Sequence, residues 1–194
     1  MRTVKLNKED INKGYLILVN KENPINENII NNSMRLIPVD IEHKDILLEI
    51  KTATLLSQLL KTIESYDEIV PVSGYRDRAE LEKIYNDSLL ENGSVFTSQY
   101  VALPNRSEHQ TGLSMDITSD SVNLQLTENF GDTDEGIWVA ENAHRFGFII
   151  RYPKDKEDIT GYIYEPWHVR YVGEELAKKV YESGLTLEEY LFSE

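Results

Sequence analysis

Ser107-Glu108-His109-Gln110-Thr111-Gly112-Leu113-Ser114-Met115-Asp116 sets a histidine and an aspartate on either side of a glycine turn. From Gly112 to Thr118 the residues alternate. Leu113, Met115 and Ile117 face one way, and Ser114, Asp116 and Thr118 the other. Period two predicts a half-buried strand with Asp116 on its polar face. Gly112 lets the chain bend just before that strand, so a loop histidine and a strand aspartate can converge. Further on, Glu165-Pro166-Trp167-His168 adds a second histidine and a glutamate.

The neighbouring segments supply helices and more strands. Ile46, Ile50, Ala53, Leu56, Leu60 and Ile63 recur at helical spacing and predict a long helix over 45–65. Residues 68–72 read as a strand, and Ser73-Gly74-Tyr75-Arg76 as a turn into a second helix. Asp77 with Glu80 is a capping box for that helix, and Gly93 a C-terminal stop. A polar, acidic connection over 119–133 leads to a third helix over 134–146, ended by Gly147. Residues 148–152 and 168–172 read as strands, and 174–183 as a helix stopped by Gly184. Thr186 with Glu189 can cap a short last one. Tyr15 to Val19 reads as a short strand, followed by an irregular, Asn-rich ordered arm over 20–32. Helices before and after a cluster of strands predict an α+β domain with a mainly antiparallel sheet. One domain is expected, with an N-terminal arm over 1–44, a core over 45–173 and C-terminal helices over 174–194.

Composition narrows the function. The 194 residues are 40% hydrophobic and 28% charged, as in an ordinary globular protein. A formal net charge of -14 leaves no basic excess for nucleic acid or an anionic membrane. Cysteine is absent, which excludes disulfides, a thiolate nucleophile and Cys-ligated zinc. The N-terminus has no apolar stretch of the signal-peptide kind, and no apolar run approaches the ~20 residues of a membrane span. A cytoplasmic protein is expected on that basis. The sequence leaves the oligomeric state open.

The chemistry rests on four side chains. A hydrolytic zinc site needs imidazole and carboxylate ligands and one open position. His109, Asp116 and His168 supply such a set. Glu165 lies three positions before His168, and Pro166 holds its backbone extended, so it can serve as a base beside the ion. Arg76, after the 68–72 strand, can hold a developing oxyanion. Spacing alone leaves a second reading open, in which His109 and Asp116 are an ordinary hydrogen-bonding pair. His43 and His144 are read as non-ligands, the first solvated among charges, the second near a helix end. Trp167 is either core or a pocket wall, and Trp138 reads as core.

Taken together these segments resemble the zinc D-Ala-D-Ala metallopeptidases, which include VanY-type D,D-carboxypeptidases and VanX-type D,D-dipeptidases. The pattern S-x-H-x-x-G-x-x-x-D matches Ser107 to Asp116, E-P-W-H matches Glu165 to His168, and S-G-Y-R matches Ser73 to Arg76. Val101-Ala102-Leu103-Pro104 and Gly147-Phe148-Ile149-Ile150-Arg151-Tyr152-Pro153 are also similar to that family. The resemblance implies the hedgehog/D-Ala-D-Ala peptidase-like fold, one Zn2+ per chain on His109, Asp116 and His168, and Glu165 as general base and then acid. It implies Arg76 on the tetrahedral intermediate, and Ser107, Ser73, Tyr75 and Trp167 as substrate-binding residues. A turn-capping role for the Ser107 hydroxyl stays open beside that. One departure stands out: the family often has Gln at the position of Leu81. Without a leader, the chain looks most like the soluble bifunctional VanXY type. That type implies cytoplasmic D-Ala-D-Ala or peptidoglycan precursor pentapeptide as substrate, and a part in glycopeptide (vancomycin) resistance. A strict D,D-carboxypeptidase, a strict D,D-dipeptidase, a non-catalytic zinc-containing wall-peptide binding module and a hydrolase of unrelated amides remain the alternatives.

Overall fold

A computed structural model describes residues 14–26, 34–63 and 69–192. Its elements run β1 (Leu36–Pro38), β2 (Leu47–Glu49), α1 (Ile50–Lys61), β3 (Ile69–Ser73), α2 (Arg78–Tyr100) and β4 (Ser114–Ser119). They continue with α3 (Asp134–Asn142), β5 (Phe148–Tyr152), α4 (Glu157–Thr160), β6 (Glu165–Tyr171), α5 (Glu174–Ser183) and α6 (Leu187–Phe192). Strands β1 and β2 form an antiparallel pair, and a second sheet has the order β3-β4-β6-β5, antiparallel throughout. The α+β reading and its mainly antiparallel sheet are therefore observed.

Strand β4 is central to that sheet, and all six of its residues are buried. The alternation over 113–118 had predicted one wet face. Instead Leu113, Met115 and Ile117 enter the core, while the polar face is covered by the side chains that gather at Asp116. Pairing sets Asp116 opposite His168 on β6 and opposite Ser73 on β3. The registry of three strands thus brings three separate motifs to one place.

The core joins Met115, Ile117, Phe148, Val169 and Tyr171 of the sheet to Ala53, Leu56 and Leu59 of α1 and Val139 of α3. Ile17, Val19 and Ile25 of the N-terminal arm belong to the same cluster. A second cluster packs Leu176, Ala177 and Val180 of α5 and Leu187 of α6 against Ile149. Burying such side chains contributes about 1.5–3 kcal/mol each relative to exposure. Among the described residues no helix is long and apolar enough to cross a membrane.

Several local expectations need correction. The helix expected over 45–65 begins only at Ile50, because Leu47 to Glu49 pair with β1. The Glu49 carboxylate then caps α1, accepting from the backbone N–H of Lys51 and Thr52. Gly93 stops the helix as expected: at φ 81° and ψ 170° it is non-helical and divides α2 into two helical segments, the second of which, running to Tyr100, was not anticipated. Tyr15 to Val19 is not a strand: Gly14–Leu16 form one 3-10 turn, and the carbonyls of Tyr15 and Ile17 accept from the Arg170 guanidinium. Asn20 to Asn26 is the irregular ordered arm that was expected, held by the Asn20 side-chain oxygen accepting from the N–H groups of Glu22 and Asn23. Residues 27–32 of that arm, residues 64–65 of the helix expected over 45–65, and Glu68 of the strand expected over 68–72 lie outside the described residues. The connection over 119–133 contains two short 3-10 turns, Asp120–Val122 and Glu128–Asp132. Strand β6 starts at Glu165, earlier than expected, and so carries the whole E-P-W-H segment.

Candidate active site

His109 sits in a 3-10 turn, Glu108–Thr111, between α2 and β4. Gly112 closes that turn at φ 66°, a conformation open to glycine, and its carbonyl accepts from the N–H of Glu49. The His109 imidazole is 5% exposed and donates from Nδ1 to the Gly74 carbonyl at 2.6 Å. That bond leaves Nε2 as the lone-pair nitrogen, 3.2 Å from Asp116 Oδ2. On β6, His168 turns its other nitrogen inward: Nδ1 lies 2.9 Å from Asp116 Oδ1. The two rings meet edge to face, with centroids 5.0 Å apart. One ligand atom from each of His109, Asp116 and His168 lies within 4.8 Å of the others, so the three can hold a single metal ion. Two neutral nitrogens and a carboxylate suit zinc, and the three fill no more than three corners of a tetrahedron.

The electrostatics agree with a cation site. Burial, and then Arg76, keep the His109 imidazole below its ordinary value, hence neutral. Burial would raise Asp116, but His109 and His168 hold it well below the usual carboxylate range. Burial opposes a charged His168, yet the Asp116 and Glu108 carboxylates push it up to about 9 in the metal-free protein. A bound cation replaces that proton.

Glu165 stands beside this cluster at 7% exposure. Burial raises it to about 8, against the pull of His168, and the charges of Asp116 and Glu108 add to the rise. Its position at the head of β6 follows from Pro166, which cannot donate to a ladder and here permits extended backbone. Arg76 follows β3, donates from Nη2 to Asp116 Oδ2 at 3.0 Å and from Nε to Ser73 Oγ at 2.7 Å.

These groups open on a cavity of about 220 Å³. Its wall includes Arg76, Ser107, His109, Asp116, Glu165, Trp167 and His168. Ser73 and Tyr75 are not part of the wall: Ser73 holds Arg76, and Tyr75 is anchored through its N–H on the Leu47 carbonyl. The Ser107 hydroxyl caps the turn by accepting from the His109 N–H, and Ser107 is also part of the cavity wall. Trp167 belongs to the core and the wall alike. Leu81 is 2% exposed and also lines the cavity, so the departure from Gln makes that wall apolar. Leu126 brings the 119–133 connection to the rim. His43 pairs with Asp40, and His144 stacks on Tyr181 at 3.9 Å; neither belongs to the metal cluster.

Sequence reasoning missed the support beneath the site. Glu108 is 1% exposed and receives Arg151 Nε at 2.7 Å and Arg170 Nη1 at 2.5 Å on its Oε1. Arg151 also forks onto Glu188 of α6, which accepts from the Asn20 amide. A signal existed: Arg151 interrupts the apolar run of β5, and Arg170 lies between Val169 and Tyr171, where a charge must find a partner.

An antiparallel sheet that presents a His-Asp-His cluster and a buried glutamate to a cavity has known counterparts. Residues 45–174 match the family profile "VanY: D-alanyl-D-alanine carboxypeptidase". The chain is 42% identical to YodJ of Bacillus subtilis (strain 168) over 184 residues, covering 92% of this chain and 67% of that protein. It is 35% identical to the bifunctional D-Ala-D-Ala dipeptidase and carboxypeptidase VanXYC of Enterococcus gallinarum, covering 90% of this chain and 92% of VanXYC. Among solved structures, the vancomycin-resistance D,D-dipeptidase VanXYg with a D-Ala-D-Ala phosphinate analogue matches with TM-score 0.81 at 43% identity, covering 95% of this chain and 73% of that one. The LD-carboxypeptidase LdcB matches with TM-score 0.79 at 40% identity, over 91% and 85%. A vancomycin-resistance VanY variant in complex with Zn(II) matches with TM-score 0.77 at 35% identity, over 91% and 98%. The chain belongs to the VanY D-alanyl-D-alanine carboxypeptidase family, and it is a peptidase.

Proposed function

We propose that this chain is a zinc-dependent carboxypeptidase that removes the C-terminal D-Ala from peptidoglycan stem peptides, with free D-Ala-D-Ala as a second substrate. The observation that carries this is the convergence of three ligand atoms within 4.8 Å on the wall of a cavity that also holds Glu165 and Arg76. His109 Nε2, one Asp116 oxygen and His168 Nδ1 are the ligands. Zinc, when bound there, supplies Lewis-acid polarisation of a carbonyl and acidifies water near neutral pH. Glu165 accepts the proton of the attacking water and returns it to the nitrogen of the departing D-amino acid. Its surroundings, buried and shared with other carboxylates, favour taking up that proton. Arg76, tied to Ser73 and Asp116, faces the developing oxyanion from the wall. Ser107 and Trp167 contact the terminal residue, beside the apolar surface of Leu81.

The VanXYC and VanXYg relatives support a D,D-bond and a part in glycopeptide resistance. LdcB, an LD-carboxypeptidase at comparable identity, supports an L,D-bond in peptidoglycan as the second reading. Zinc-loaded protein is offered D-Ala-D-Ala, a pentapeptide ending in D-Ala-D-Ala, and a tetrapeptide ending in L-residue-D-Ala. Release of D-Ala from the pentapeptide, abolished in Glu165→Gln while zinc stoichiometry stays at one, is the expected result. Turnover confined to the tetrapeptide establishes the second reading, and no release from any of the three rejects catalysis.

A further inference from the structure

Each metal-facing imidazole has an outer nitrogen, and the two are held in different ways. His109 directs Nδ1 at a backbone carbonyl, that of Gly74. His168 directs Nε2 at a side chain: Glu108 Oε2, 3.4 Å away. The other oxygen of that carboxylate is already engaged, because Arg151 and Arg170 both donate to Oε1. Two guanidiniums carry no acceptor, so they fix which oxygen faces them and leave Oε2 turned toward His168. Glu108 has no exposure to solvent through its side chain, and neither arginine does, so water does not compete for these bonds.

On the reading of His168 as a zinc ligand through Nδ1, we propose that Glu108 is the positioning residue for the metal centre. Its Oε2 accepts the Nε2 proton of His168, fixes the tautomer that keeps a lone pair on Nδ1, and fixes the orientation of the ring. Outer carboxylates of this kind orient a metal-bound histidine and raise its basicity. Here the carboxylate is itself clamped by two arginines, so it cannot swing inward to become a ligand.

Glu108→Gln separates positioning from bulk stability. Both arginines still require an oxygen, so the carboxamide keeps its oxygen toward them and presents its NH2 to His168 Nε2. A donor there selects the opposite tautomer, with the proton on Nδ1 where the ion should sit. Zinc affinity, measured by competition with a chromophoric chelator, is expected to fall about 10–100-fold. Glu188→Gln disturbs the same arginine network without touching a ligand, and is expected to melt lower while keeping zinc affinity within about twofold. Equal zinc affinity in wild type and a folded Glu108→Gln overturns the proposal. If Glu108→Gln does not fold, 15N-histidine spectra of zinc-loaded wild type decide. A proton on His168 Nε2 with a metal-shifted Nδ1 upholds the role, and a metal-shifted Nε2 refutes it. A wild type that binds no zinc defeats the zinc reading itself, a result distinct from either.

Discussion

Replacing Glu165 by glutamine in the metal-free protein should make the protein more stable, and more so as pH rises. In the folded chain this carboxyl is held at about 8 instead of 4.5, first by burial and then by the neighbouring charges of Asp116 and Glu108. A folded-state value above the unfolded one means that stability is complete below about pH 4.5 and is lost as pH climbs through 8. The loss runs at about 1.4 kcal/mol per pH unit between those limits, which bounds it at about 5 kcal/mol. Glutamine keeps the shape and does not titrate. Urea unfolding of chelator-stripped wild type and Glu165→Gln, followed by tryptophan fluorescence, gives the difference in free energy directly. That difference should widen in favour of the variant by about 2–5 kcal/mol between about pH 5 and about pH 9. A difference that stays flat over that span refutes the account of Glu165 as a carboxylate strained by its surroundings. With zinc restored the pH dependence should disappear, because a nearby dication favours the ionised form.

Gly74→Ala should cost about 1–3 kcal/mol, since a Cβ there would overlap the Leu47 carbonyl oxygen and press on Ile46 Cγ2. It should also weaken zinc binding, because the Gly74 carbonyl is what fixes His109; calorimetric titration of a folded variant with unchanged affinity would contradict this. Thr186→Ala removes one half of a reciprocal cap, in which the Thr186 hydroxyl accepts from the Glu189 N–H and Glu189 accepts from the Thr186 N–H. The cost should be about 1 kcal/mol, or a fall of about 2–4 °C in Tm, read by scanning calorimetry. Stripping zinc with a chelator should abolish turnover yet leave far-UV circular dichroism unchanged, because His109 and His168 keep their protein partners without it. Saturating zinc at ~1,000 times its Kd should then add about 4 kcal/mol of stability.

Much of the fold was legible where local chemistry decides it. Gly147 and Gly184 end their helical segments at φ 84° and 67°, and Thr186 with Glu189 starts the last helix, as the residues suggest. The cluster of His109, Asp116 and His168 was legible too, because few residue types bind zinc and the chain has only four histidines. What was not legible depends on partners far away in sequence. Leu47 to Glu49 carry a helical pattern, yet pairing with Leu36 to Pro38 draws them into a strand. The Tyr15 to Val19 segment has strand composition, but its carbonyls answer to Arg170, 153 positions from Ile17. Asp116 was expected on a wet face and lies at 4% exposure, since its covering groups come from β3, β6 and the turn before β4. The pairing of Glu108 with Arg151 and Arg170 is invisible locally for the same reason.

The ionic chain from Glu108 through Arg151 to Glu188 and Asn20 has a consequence for proteolysis. All three candidate metal ligands precede Glu188, which belongs to α6. Without that helix, Arg151 lacks one of its two carboxylates, and removing one partner of a buried ionic group typically costs about 3–5 kcal/mol. A cut just before Leu187 therefore leaves every candidate ligand in place and is registered as lost stability, so such damage would be cleared by unfolding rather than by loss of the ion.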